Sequence, residues 1–134
     1  MAKFTGAQAH LKRLKAMDGR AQAEARKLVY ALADMHATEA ALSITAGAVS
    51  GKNHVPSLPG EPPNADTHVL DRSIHVEEVG PLRANSVADA DYAVPLEFGP
   101  NERPFMRPAA DKVRKEADKL AKAAVRRINR GGTL

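Results

Sequence analysis

The apolar positions recur with two different periods along the chain. Over residues 7–17, Leu11, Leu14 and Met17 fall on one side of a helix, with Thr5 or Gly6 placed to cap it. Asp18-Gly19 reads as a break. A longer helix is expected over about 20–49. Its apolar arc, Leu28, Val29, Leu32, Met35, Ala40, Leu42, Ile44, Ala46 and Val49, is broad and Ala-rich, which suits contact with more than one neighbour. Gly51 is the expected C-cap.

Periodicity then stops. Residues 51–68, GKNHVPSLPGEPPNADTH, carry four prolines and two glycines, which exclude helix and discourage a central strand. Two readings follow: an extended, partly polyproline-like arm that docks on a partner chain and orders there, or a surface loop.

Alternation begins after the arm. Residues 69–79 read as a strand, with Leu70, Ile74 and Val76 on one face and Ser73, His75 and Glu77 on the other. Gly80-Pro81 is a turn signal, and residues 83–88 form a weaker second strand. Asp89-Ala90-Asp91 is a polar corner. Tyr92, Val94, Leu96 and Phe98 alternate as a third strand, which Pro95 confines to an edge or a bulge and Gly99-Pro100 ends. Arg103-Pro104-Phe105-Met106-Arg107-Pro108 sets an aromatic and a thioether between prolines and arginines. Pro108 suits the first turn of a last helix.

That helix, over 107–130, buries Val113, Ala117, Leu120, Ala121, Ala124 and Ile128 as one stripe. Lys112, Lys115, Lys119, Lys122, Arg126 and Arg127 lie on its other faces, and Gly131-Gly132 ends it. The expectation is one α+β domain over residues 1–134. It has a long N-terminal helix, a small antiparallel sheet of about three to four strands, a long amphipathic C-terminal helix packed on that sheet, and the Pro-rich arm.

Composition narrows the class. A chain of 134 residues suits one domain with a modest core, and the many Ala and the absence of Trp favour close helix packing over a large cavity. There is no Cys, so disulfides and thiolate metal sites are excluded. No apolar run is long enough to span a bilayer, and the first residues lack a signal-peptide core, so a protein made in a cytoplasm, with no membrane partner, is expected. The net charge of +4 is unevenly spread. Residues 1–50 hold seven Lys/Arg against four Asp/Glu, residues 51–102 three against nine, and residues 103–134 ten against three. A chain polarised in this way suits a polyanion, or copies of itself with acidic middle against basic tail.

Catalytic chemistry is not evident. Among His10, His36, His54, His68 and His75 no pair has helical ligand spacing. No nucleophile elbow, phosphate loop or dinucleotide fingerprint occurs. Neither enzyme activity nor a metal or cofactor is expected. His36, in an Ala-rich helix, reads as structural. Glu97 is expected to pair with an arginine at a subunit or strand contact, with Arg103 and Arg107 the candidates. The basic last helix lacks interleaved aromatics, so nucleic-acid contact through it would be with phosphates and without sequence reading.

Two segments together resemble a known family. The first is Ser57-Leu58-Pro59-Gly60-Glu61-Pro62-Pro63, followed by Thr67, Leu70 and Ser73-Ile74. The second is Tyr92-Ala93, Leu96-Glu97-Phe98-Gly99 and Arg103-Pro104-Phe105-Met106-Arg107-Pro108-Ala109. In that order, before a terminal amphipathic helix, they are similar to the tail-completion (head–tail joining) proteins of long-tailed bacteriophages and related gene-transfer particles, over roughly residues 20–130. The chain departs from that pattern at His68-Val69, where the family usually has Gly before the Leu, and at Pro100, where it often has Thr. The resemblance implies a non-enzymatic virion protein that forms a ring, usually a hexamer, at the particle neck. It would lie between the connector or stopper and the tail terminator or tube, with weak, non-specific contact to genome DNA in the lumen. Ser57, Pro59, Glu61, Pro62 and Pro63 of the arm, and Glu97, Arg103, Phe105 and Arg107 of the corner, are the candidates for subunit or ring contacts. The other readings are a free, non-sequence-specific nucleic-acid-binding module, and a tail terminator or head-side adaptor.

Overall fold

The computed structural model describes residues 6–46 and 51–132. Its axis is a single helix, α1 (Ala7–Thr45), of 39 residues. Asp18-Gly19 does not break it. Gly costs only about 1 kcal/mol in a helix interior, the flanking residues are mostly good helix formers, and Gln22 Nε2 reaches back to Asp18 Oδ2 at 3.3 Å across the bend signal. The helix closes at Ala46, whose N–H donates to the Leu42 carbonyl at 2.9 Å. Gly51 is therefore not its cap; it opens a short 3-10 turn, Gly51–Asn53. The expected helical positions 47–49 lie outside the described residues.

A short helix, α2 (Val69–Ser73), precedes a hairpin of β1 (Ile74–Gly80) and β2 (Arg83–Ala88). The pair is antiparallel, from Ile74 opposite Ala88 to Glu78 opposite Ala84, with an irregularity before Gly80. The expected strand over 69–79 thus begins only at Ile74. Leu70 and Ile74 are four apart as well as an even number apart, so the same pair fits a helical turn. Leu70 is buried on that turn, and the Ser73 hydroxyl donates to its carbonyl at 2.7 Å.

The third expected strand is also a helix, α3 (Ala93–Phe98). Two strands make up the sheet among the described residues, not three or four. The inward positions are Ala93 and Glu97, one helical turn apart, while Tyr92, Val94 and Phe98 face out and Leu96 is half-buried. Pro95 tolerates this because it stands in the first turn, where no intrahelical partner awaits its N–H.

The last described element is α4 (Met106–Gly132), which runs through both glycines expected to stop it. Lys112 pairs with Glu39 at 3.7 Å and Arg127 with Glu24 at 2.8 Å, so α4 runs antiparallel along α1. Its main support is therefore α1 rather than the sheet. The core sits at the far end of α1, where Ala40 and Ile44 meet Ala65, Leu70, Ala93, Phe105 and Ala109. His36 ties three elements together there: Nδ1 bonds the Ser86 hydroxyl of β2, and Nε2 bonds the Met106 carbonyl at 2.7 Å. A carbonyl only accepts, so Nε2 carries the proton, and in the neutral ring Nδ1 accepts from Ser86.

Candidate interaction surface

The corner between α3 and α4 is organised by Glu97. The backbone N–H groups at the start of α4 lack partners within the helix, and neither Pro104 nor Phe105 has a side chain to cap them. Glu97 supplies the cap from α3. Its Oε2 accepts from the N–H of Phe105 at 2.9 Å and of Met106 at 3.1 Å, and its Oε1 accepts from the N–H of Arg107 at 2.9 Å. Burial alone would push this carboxyl up. The three N–H groups and the Arg107 side chain outweigh burial and hold it below the ordinary carboxylate range. A negative charge here also meets the positive end of the α4 dipole.

Arg107 completes the corner. Its Nε lies 3.0 Å from Glu97 Oε1, its guanidinium 2.9 Å from Glu102 Oε2, and its Cζ 4.9 Å above the Phe98 ring. The expected Glu97–arginine pair therefore exists, with Arg107, and it lies within one chain. Arg103 instead donates from Nε to the Ser57 carbonyl at 3.1 Å. Phe105 is 1% exposed and Glu97 4%, so both belong to the interior and neither offers a free surface. Gly99 ends α3 where a Cβ would stand 2.3 Å from the Pro95 carbonyl oxygen, closer than any side chain permits.

The Pro-rich segment is not a free arm. It folds onto its own chain: Ala65 N–H donates to Ile44 O at 2.9 Å, and Gly60 N–H to Glu102 O at 2.8 Å. Gly60 has φ +90°, where a side chain is strained. Ser57 and Pro63 are buried, Pro62 is half-buried, and Pro59 and Glu61 stay exposed, with Glu61 Oε2 accepting from Leu58 N–H at 3.3 Å. Arm and corner candidates are thus brought together through Ser57–Arg103 and Gly60–Glu102, as partners within the fold.

A cleft of about 240 Å³ beside the arm collects Ser57, His54, His68, Asp66 and Asp71. His68 bonds Asp71 at 3.2 Å, but the buried Ser57 hydroxyl has no hydrogen-bond partner, so no nucleophile–base pair is assembled there. Among the described residues no group of three His, Asp or Glu is placed to hold a metal, and no helix is long and apolar enough to cross a membrane.

Three outward-facing features remain. Val94 and Phe98, four apart on α3, are 68% and 66% exposed beside an apolar groove of about 320 Å³, with Met106, Ala110 and Ala93 in its walls. The first turns of α1 extend beyond the last described turn of α4, and among the described residues nothing covers Leu11 and Leu14. The outer face of α4 carries Lys112, Lys115, Lys119, Lys122, Arg126 and Arg130 in steps of three and four, opposite its apolar stripe. Strand alternation would put Val94 and Phe98 on one face with Tyr92 and Leu96; the helical turn instead buries Ala93 and Glu97 and turns Val94 and Phe98 outward.

Comparison with protein-family models, curated proteins and solved structures gives no match for this chain. What is established is therefore the fold class: α+β, with a long N-terminal helix, a two-stranded antiparallel hairpin and a long C-terminal helix.

Proposed function

We propose that this chain is a non-enzymatic structural subunit that assembles with copies of itself into a ring, a hexamer, at the neck of a long-tailed phage or gene-transfer particle. The ring sits between connector or stopper and tail terminator or tube, and genome DNA passes through its lumen. The observation that carries this reading is the corner motif. The residues that give the chain its resemblance to tail-completion proteins, Glu97 and Arg103 to Arg107, form one locked unit. That unit fixes α3 so that its apolar pair, Val94 and Phe98, is displayed outward. Exposed apolar pairs held on a locked corner suit a partner chain, and contacts of one surface with a different one build a ring when the rotation between copies closes.

The test is imaging of intact particles together with native mass spectrometry of the purified chain. Six-membered rings, and the chain located at the neck, are expected. A chain that stays monomeric at high concentration and is absent from the neck overturns the reading. The basic outer face of α4 favours a second reading, a free module that binds nucleic-acid phosphates; binding of duplex by a monomer, without ring formation, supports it.

A further inference from the structure

The first turns of α1 and the groove beside α3 are complementary, and neither is covered by the described residues of its own chain. Residues 7–17 span about 16 Å of helix. Every described residue there except Met17 is exposed, with Leu11 and Leu14 three apart at 56% and 45%. Lys12, Arg13 and Lys15 surround that pair, and the stretch holds no acidic residue. The groove beside α3 presents Val94 and Phe98 above Met106, with almost entirely apolar walls. At about 320 Å³ it suits one or two aliphatic side chains better than a cofactor. Two of its wall residues, Ala88 and Ala93, are joined by a link that carries Asp89 and Asp91, both exposed. The cation at its rim, Arg107, is already met by Glu97 and Glu102.

We infer that the α1 tip of one copy docks in the α3–α4 groove of the next, with Leu11 and Leu14 against Val94 and Phe98, and Lys12 and Arg13 beside Asp89 and Asp91. Charge selects this occupant over the obvious rival. Pairing two α1 tips would bring six cations together without an acid between them, whereas the link between the wall residues Ala88 and Ala93 supplies two exposed carboxylates, Asp91 and Asp89, the latter 3.5 Å from His75 Nδ1. The contact joins unlike surfaces, so it can repeat from copy to copy and closes into a ring when the rotation between copies divides a full turn. It rests on the self-association proposed above and names the surfaces that make it.

The absence of cysteine gives a clean test. A Leu14→Cys chain mixed with a Phe98→Cys chain under mild oxidation is expected to give mainly the mixed disulfide, since that bond needs Cα atoms within about 7 Å. Val79→Cys, on the exposed hairpin end, serves as the control and should not cross-link. Sedimentation of a Leu11→Asp, Leu14→Asp chain reads the contact without oxidation. The tip lies outside the core, so the helical content of that chain should be kept while self-association weakens at least tenfold. Cross-linking mainly between two Leu14→Cys chains overturns the inference in favour of tip pairing. Intact rings in the Leu11→Asp, Leu14→Asp chain overturn it while leaving the ring reading standing. A wild-type chain that never self-associates overturns both.

Discussion

Glu97 Oε1 lies 2.9 Å from the backbone N of Arg107 and 3.0 Å from the same residue's Nε, so one carboxylate oxygen holds Arg107 by main chain and side chain together. The second oxygen takes the N–H groups of Phe105 and Met106. One side chain thus sets the starting point and direction of α4 relative to α3. A six-residue helix has little stability of its own, so its orientation depends on this lock. The outward display of Val94 and Phe98 follows from it.

Glu97→Ala is expected to destabilise the fold by about 2–4 kcal/mol, through loss of the cap and through three donors left without a partner. Chemical denaturation measures it. Glu97→Gln, which can accept but carries no charge, should fall between wild type and Glu97→Ala.

The same carboxylate sets an acid limit. Its folded pKa is lowered, so its contribution is complete above the ordinary carboxylate value of about 4.3 and is lost as pH falls through the lower folded value. Stability of the wild type should decline below about pH 4.3 more steeply than that of Glu97→Gln. His75 acts in the opposite sense. The Ser73 carbonyl and the Glu77 carboxylate hold its imidazole above the ordinary value, so that contribution is present at low pH and is lost as pH rises through the raised value.

Phe105→Ala removes the largest fully buried side chain and should cost about 3–5 kcal/mol in equilibrium unfolding. Phe105→Leu, which leaves a smaller cavity, should cost less. A change near zero would contradict the placement of Phe105 in the core.

Two glycines should respond with opposite sign. Gly99→Ala forces a methyl against the Pro95 carbonyl and should destabilise by about 1–3 kcal/mol. Gly19→Ala, in the middle of α1 with open space around it, should stabilise by about 0.5–1 kcal/mol. Thermal melts of the two variants check both.

The outer face of α4 predicts salt-sensitive binding to duplex DNA. Lys115, Lys119 and Arg126 make no ion pair among the described residues, while Lys112 and Lys122 have partly exposed acidic neighbours, Glu39 and Asp118. With about four phosphates neutralised, affinity should fall roughly 100-fold between 50 and 200 mM salt. Lys115→Gln, Lys119→Gln, Arg126→Gln should flatten that dependence. Equal weakening by Lys12→Gln, Arg13→Gln, Lys15→Gln would place the binding elsewhere.

The sequence by itself determined the helical character of residues 7–45, the C-terminal helix and the hairpin, although it placed at Asp18-Gly19 a break that the structure does not have. Their apolar stripes and turn residues extend over enough positions for one period to prevail, as from Val113 to Ile128 on α4. It also marked an arginine partner for Glu97, with Arg103 and Arg107 both open; the fold selected Arg107 and placed the pair within one chain. Tertiary structure decided the short elements. Residues 69–73 and 93–98 are too brief for periodicity to separate helix from strand, since Leu70/Ile74 and Val94/Phe98 satisfy both spacings. Burial of Ala93 and Glu97, and the need to cap α4, settled the helical choice at α3. Likewise Pro63 and Ala65 are polyproline-like by sequence alone. The segment is fixed in place because two residues distant in the chain supply what a free arm would leave to water: the Ile44 carbonyl accepts from Ala65 N–H, and Arg103 Nε donates to the Ser57 carbonyl.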